Sequence, residues 1–456
     1  MHVSVLEERP KFIRIEAFSQ SDFQFDWEKD GQLNQTSIMK EINQQTTIRG
    51  IDNLFITTDD DTLKISLKKS HEYQPIELIT IIHFLLTHLQ SKSKFELLTN
   101  IKTEELELVQ KQFYDYYILV CCLLFKRNLT IRNSENNFLY TEDLYKKIIE
   151  KLKSQDELYA RELNSNHIKE LKTRFFSKSN KLKNSEGLSF VIPCFDHLAD
   201  ISLDRSNYFH NSLRPKGPKD IAVWFERLFS FNDIKISLPH MFYDLSIVIN
   251  ELMQNTFDWA RTTYDDEDFI KPNIRACAVN IFLQDKIKLK DSSYDYIQDY
   301  LKQIFTTEKS KIRSTNGEIE LDLENEKIAI CEISILDTGP GMARRWLKRD
   351  YNNISFEDEG IAVIECFHKY FTSDRSSRSQ LRGRGLSNVI NIIGRSGFIR
   401  VRTGHVLIQR NFFKNNIQQE ELQNSNLVFD HTNNNLPKIN GTTISILYPF
   451  IYAQLP

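Results

Sequence analysis

The stretch Ile333-Ser334-Ile335-Leu336-Asp337-Thr338-Gly339-Pro340-Gly341-Met342 runs an apolar segment into an acidic residue and a turn with two glycines. The apolar residues from Ile328 to Leu336 predict a β-strand, which leaves Asp337 at its C-terminal edge. A carboxylate held there can accept a hydrogen bond from an exocyclic amine. Gly339 and Gly341 carry no side chain, so the backbone can pass close to a flat ring. The same letters also suit an ordinary D-x-G turn, and the segment alone does not choose between the two.

Upstream, Glu251-Leu252-Met253-Gln254-Asn255-Thr256-Phe257-Asp258-Trp259-Ala260 lies in a helical run predicted from Met241 to Arg261. Glu251 and Asn255 are i,i+4 neighbours on one helix face, and Asp258 continues the stripe. An asparagine oxygen can ligate a hard cation while a glutamate polarises a water or hydroxyl. The plain alternative is a polar helix face. Downstream, Arg382-Gly383-Arg384-Gly385-Leu386-Ser387-Asn388-Val389-Ile390 is a Gly-x-Gly loop opening onto an apolar helix that runs to Ile393. Free N–H groups at a helix start, reached past glycines, suit a phosphate. The Ser-rich stretch Phe371 to Gln380 before it holds Arg375 and Arg378, either phosphate contacts of a lid or solvated charge. Gly441-Thr442 opens a closing strand to Leu447. Nine of the 14 glycines fall in the last 118 residues, which marks that region as the one with ligand loops.

Around these segments the pattern is α/β. Strands are predicted at Ile274 to Leu283 and Phe398 to Thr403, with a charged insert at about 286–327. Residues 1–190 read as an α+β effector or partner-docking region. It opens with strands near Phe12 to Phe18, Leu54 to Thr57 and Leu63 to Leu67, the last two as a hairpin. Helices follow at Ile76 to Leu89, Thr103 to Phe125, Thr141 to Leu152 and on to about Lys181. Pro193, Pro215, Gly217 and Pro218 mark residues 191–239 as a linker with a short helix from Asp220 to Phe229, and 240–456 as the ligand-binding domain.

The chain has 456 residues, enough for two or three domains. Its 40% hydrophobic and 27% charged residues exclude a disordered chain, and a net charge of -3 gives no nucleic-acid signature. No apolar run reaches the roughly 20 residues that span a bilayer, and Met1-His2-Val3-Ser4 opens no secretory leader. Six cysteines without a C-x-x-C pair read as reduced core residues of a cytoplasmic protein.

E-x-x-x-N on a helix, strand-D-x-G-x-G, G-x-G-L before a helix and Gly-Thr before a closing strand occur in that order. This order resembles the GHKL ATPase superfamily: the gyrase B subunit, the ninety-kilodalton heat-shock chaperone, histidine kinases and MutL. The resemblance covers roughly residues 240 to 450. It implies a C-terminal Bergerat-type α/β sandwich that binds ATP and Mg²⁺, with a mobile lid at about Ala343 to Arg382. By the same resemblance Glu251 is the general base, Asn255 the Mg²⁺ ligand and Asp337 the reader of the adenine amino group. Gly339, Gly341 and Met342 belong to the base wall; Gly383, Arg384, Gly385 and Leu386 approach the phosphates, with Arg375 and Arg378 as lid contacts. Thr442 is similar to the family's threonine near the base, and Asp258 matches its N-x-x-D.

Three departures stand out. The insert is long and reads as a private interaction surface, Ser387 stands where histidine kinases carry a glycine, and no transducer domain follows the closing strand. The implied activity is ATP binding with slow hydrolysis, switching how the protein meets a protein partner or its own copy as a homodimer. The alternative is a protein kinase acting on a partner in trans. Neither His197, beside proline-broken sequence, nor His240, abutting the first motif, fits a phosphoacceptor.

Overall fold

The computed structural model describes the strands named below, residues 76, 79 and 215–223, and most of the chain from 240. That last part comprises residues 240–270, 273–284, 287, 289, 296–306, 312–314, 317–319, 326–368, 385–414, 428–433, 436 and 438–454. The chain divides into two compact units. The first is Met1–Tyr73, Leu85–Ser154 and Ser293–Asp295; the second is Gln74–Phe84, Gln155–Ser292 and Tyr296–Pro456.

In the first unit, β1 (Ile13–Arg14), β2 (Phe55–Asp59), β3 (Thr62–Leu67), β4 (Lys94–Thr99) and β5 (Leu129–Asn133) form one sheet in that order. β2 and β3 are the expected hairpin, antiparallel with Asp59 paired to Thr62. β3, β4 and β5 then pair in parallel. Of the helices expected in residues 76–181, only Ile76 and Ile79 are among the described residues, both buried and both in the second unit.

The second unit is built on an antiparallel sheet. In chain order its elements are β6 (Leu188–Phe195), β7 (Ile234–Ile236), α1 (His240–Trp259), β8 (Ile274–Leu283), α2 (Tyr296–Thr306), β9 (Ile312–Ser314) and β10 (Gly317–Ile319). Then come β11 (Glu326–Asp337), α3 (Met342–Leu347), α4 (Phe356–Glu365), α5 (Gly385–Ile393), β12 (Phe398–Gly404), β13 (Val406–Asn411), β14 (His431–Asn433) and β15 (Ile439–Gln454). β9 and β10 make a separate hairpin; the others form an eight-stranded sheet, β14-β13-β12-β15-β11-β8-β6, with β7 on the far end of β15.

Alternation along these strands gives the sheet two buried faces. Cys277, Val279 and Ile281 of β8, Cys331, Ile333 and Ile335 of β11, and Ile444, Ile446 and Tyr448 of β15 share one face. Against it lie Leu245, Val248, Leu252 and Met253 of α1 and Val389, Ile390 and Ile393 of α5, at helical spacing. The opposite face meets α2 at its β12–β15 end: the Tyr300 ring lies 5.4 Å from Phe398, and its hydroxyl donates to the Ser396 and Leu447 carbonyls. Cys277 and Cys331 are free and buried, with their thiols pushed up by burial. Among the described residues, no helix is long and apolar enough to cross a membrane.

Three expectations are corrected. Residues 191–239 are not simply a linker. β6 crosses the expected boundary at 190 and pairs with β8, β7 pairs with β15, and the short helix starts at residue 218, directly after Gly217, whose carbonyl accepts the Asp220 and Ile221 N–H groups. Pro193 does not prevent this, because β6 is an edge strand and an edge needs no donor on its open side. The insert at 286–327 is not only an outward surface, since α2 buries Tyr300, Leu301 and Ile304 to 1% exposure or less. Nor is the whole of residues 343–382 a loosely held lid. Ala343, Ala362, Val363 and Phe367 belong to the main core, so 343–368 is held by apolar burial. The rest of the lid, with Arg375 and Arg378, lies outside the described residues.

Candidate functional site

One end of the sheet and the helices above it gather most of the residues singled out by the sequence. Asp337 is the last residue of β11, in register with Thr442 of β15 on one side and Arg275 of β8 on the other. Thr403 of β12 faces Thr442 in turn, the two hydroxyls 3.1 Å apart. Asp337, Thr442 and Thr403 therefore form a row across three neighbouring strands, each less than 9% exposed. The Asp337 carboxylate accepts the Gly339 N–H at 2.8 Å, which folds the double-glycine turn back over the strand end.

Burial is the largest influence on Asp337 and raises its carboxyl to about 7; the Gly339 and Thr442 backbone N–H groups and the Arg275 charge work against it. A carboxyl so poised changes charge near neutrality, and groups of that kind cluster at binding and catalytic sites. Its ordinary surroundings would be solvent. Here they are a buried wall with fixed donors.

The glycines of the turn serve close packing. Gly339 lies against α1, where a Cβ would come 2.6 Å from the Ala260 Cα. Gly441 has a φ of +78° and its missing Cβ would overlap the Asp337 carbonyl. Gly441→Ala is thus expected to destabilise the protein by about 1–3 kcal/mol from the left-handed backbone alone, with the contact adding to it. A lowered denaturation midpoint would show this; an unchanged midpoint would mean that the backbone does not hold this conformation. Gly341 has a φ of +87° and precedes α3, whose first residue, Met342, donates its N–H to Thr403 Oγ1 at 3.1 Å.

The second half of the site lies on α1 and α5, which pack together. A Cβ on Gly385 would come 2.8 Å from Glu251 Oε2 and 3.7 Å from both amide atoms of Asn255. The absent side chain leaves a cradle bordered by a carboxylate, a carboxamide and the start of α5. Asn388, one turn along α5, donates to Glu251 Oε1 at 3.2 Å and fixes that carboxylate. Leu386 packs against the main core, which anchors the first turn of α5. Asp258 instead accepts a hydrogen bond from Gln254 on its own helix at 2.9 Å. Gly383, Arg384, Arg375 and Arg378 lie outside the described residues.

Arg275 joins the two halves. Its Nη1 donates to Thr256 Oγ1 at 3.3 Å, next in sequence to Asn255, while its backbone pairs with Asp337. Arg275, Thr403 and Asn388 were not among the residues picked from the sequence. A lone arginine in the apolar strand Ile274-Arg275-Ala276-Cys277-Ala278-Val279 was the available signal for the first; Thr403 carries none.

An exocyclic amine can be read at Asp337, and a hard cation or water can be held at Asn255 and Glu251. Among the described residues no group of three or more His, Cys, Asp or Glu side chains converges as a metal site. A cation that keeps its own waters and takes phosphate oxygens needs only one or two protein ligands, and the Asn255 oxygen beside Gly385 suits that role. Comparison of the chain with family models, curated proteins and solved structures finds no match in any of the three.

Proposed function

We propose that residues 240–456 form a Bergerat-type, GHKL-like domain that binds ATP with Mg²⁺ and hydrolyses it slowly, switching how the protein meets a partner or its own copy. The observation that supports this reading is the buried Asp337 carboxylate at a strand end, with Thr442 beside it and Glu251 and Asn255 bordering the Gly385 cradle.

Asp337 accepts a hydrogen bond from the adenine amino group, with the Thr442 hydroxyl next to it. The phosphate oxygens take the backbone N–H groups at the start of α5, which Gly385 brings close to Glu251 and Asn255. Asn255 offers its side-chain oxygen to Mg²⁺, which supplies charge neutralisation at the phosphates. Glu251, oriented by Asn388, takes the proton of the water that attacks the γ-phosphorus, and ADP is the leaving group.

Titration calorimetry with ATP and GTP, with and without Mg²⁺, tests the reading. ATP should bind saturably, and Asn255→Ala should remove the Mg²⁺-dependent part. GTP presents an acceptor oxygen where adenine presents its amine, so it should bind about 100-fold more weakly. Equal binding of the two nucleotides would sink the adenine assignment.

A further inference from the structure

We propose that Arg275 is a positioning residue for base recognition: it supplies the buried positive charge that holds the Asp337 carboxylate ready as an acceptor and ties it to the helix of Glu251 and Asn255. The inference rests on the ATP reading above and adds to it a residue that contacts no nucleotide.

Arg275 has 0% exposure and is among the largest fully buried side chains of the described chain. Burying a guanidinium costs several kcal/mol unless charge and hydrogen bonds compensate it. An apolar residue of similar length would fill the same volume without that cost, so packing alone does not account for an arginine. Its position does. Residues directly opposite on antiparallel strands project to the same face, and Arg275 is opposite Asp337. That face is the one covered by α1, as the hydrogen bond to Thr256 Oγ1 requires. Thr256 Oγ1 in turn donates to the Met253 carbonyl at 2.8 Å, leaving its lone pairs for the guanidinium. The Phe257 ring, 5.5 Å from the guanidinium carbon, offers a third contact from the same helix.

Arg275 therefore touches α1 beside Asn255 and acts electrostatically on Asp337. The other groups facing Asp337 are the Gly339 and Thr442 N–H donors and, as an ionisable neighbour, the Tyr351 hydroxyl. Burial raises that hydroxyl well above neutrality, so it stays uncharged and Arg275 is the cation in this set. Without it, only the Gly339 and Thr442 N–H groups would oppose burial, Asp337 would hold its proton to higher pH, and a protonated carboxyl meets an amine with a donor instead of an acceptor.

The test measures ATP affinity from pH 6 to 9.5 for the wild type, Arg275→Gln and Arg275→Lys. Gln keeps a polar amide donor but not the charge; Lys keeps the charge. Wild-type affinity should rise with pH through a midpoint near 7. Arg275→Gln should bind about three-fold more weakly at pH 7.5 and about ten-fold more weakly at pH 6, and recover by pH 9, its midpoint displaced upward by about one unit; Arg275→Lys should keep the wild-type midpoint. A loss for Arg275→Gln that is the same at every pH would assign Arg275 to packing and overturn the proposal.

A second measurement needs no nucleotide and so separates this inference from the ATP reading. The stability of Arg275→Gln relative to the wild type should be level below about pH 6 and worsen between about pH 6 and 9, as Asp337 ionises without its counter-charge. In an Asp337→Asn background that pH dependence should vanish. Its persistence there would show that Arg275 does not act through Asp337. If the wild type binds no ATP while this cycle holds, the function fails and the Arg275–Asp337 coupling stands.

Discussion

Asp337→Asn is expected to weaken ATP binding by about 10- to 150-fold, the equivalent of losing a charge-assisted hydrogen bond of roughly 1.5–3 kcal/mol. The amide can rotate to present its oxygen, but then its NH₂ is left against a wall already furnished with the Gly339 and Thr442 N–H donors. The same substitution should remove the pH dependence of binding. The wild-type carboxyl titrates at about 7, so wild-type affinity falls as pH drops through that value, while the asparagine variant stays flat.

Stability should move the other way. Burial raises the folded-state acid above its unfolded value of 3.8, so the folded protein holds the proton that the unfolded chain has lost. Folding therefore loses free energy progressively between about pH 4 and 7 and stays lower above that. Asp337→Asn, which cannot ionise, should melt higher than the wild type at pH 8 and equally at pH 4. Such an exchange of stability for a poised group is common at binding sites. A variant that both binds ATP normally and melts like the wild type at pH 8 would leave Asp337 with no special role.

Glu251→Ala should stop ATP turnover, by about 10²- to 10⁴-fold, with ATP affinity nearly unchanged, because it removes a proton acceptor and not a binding group. The geometry sharpens this expectation. Glu251 borders the Gly385 cradle and is held by Asn388, so it is already oriented in the protein described here. Asn388→Ala should lower turnover less than Glu251→Ala does, since it frees the carboxylate without deleting it. Following free phosphate and labelled protein separately, with γ-labelled ATP and a cell extract, reads the reaction type in the same assay. Phosphate release at the wild-type rate from Glu251→Ala would remove Glu251 as the base. Label appearing on another protein, without free phosphate, would move the reading from a hydrolytic switch to a kinase.

Much of the second unit was legible in the sequence, for a local reason. The short apolar runs at Ile274 to Leu283 and Ile328 to Leu336, and the helical runs at Met241 to Arg261 and Leu386 to Ile393, are written within single elements. They reappear as β8, β11, α1 and α5 with ends moved by one or two residues at most positions. The order of glycine turns and acidic residues was also local, and it selected Glu251, Asn255, Asp337 and Thr442 before any contact was known.

What no local pattern carried was pairing. β7 and β14 are three residues each, too short to show a period, and they exist because β15 and β13 offer them a partner. α2 looked like charged surface because Tyr300, Leu301 and Ile304 are its few buried apolar residues among polar neighbours, and the face they cover belongs to strands about a hundred residues away. The sequence by itself determined which segments could be strands or helices and which residues had the chemistry for a site. The tertiary structure decided that Arg275, Asp337, Thr442 and Thr403 stand side by side, because register between distant strands follows from which faces must be buried together.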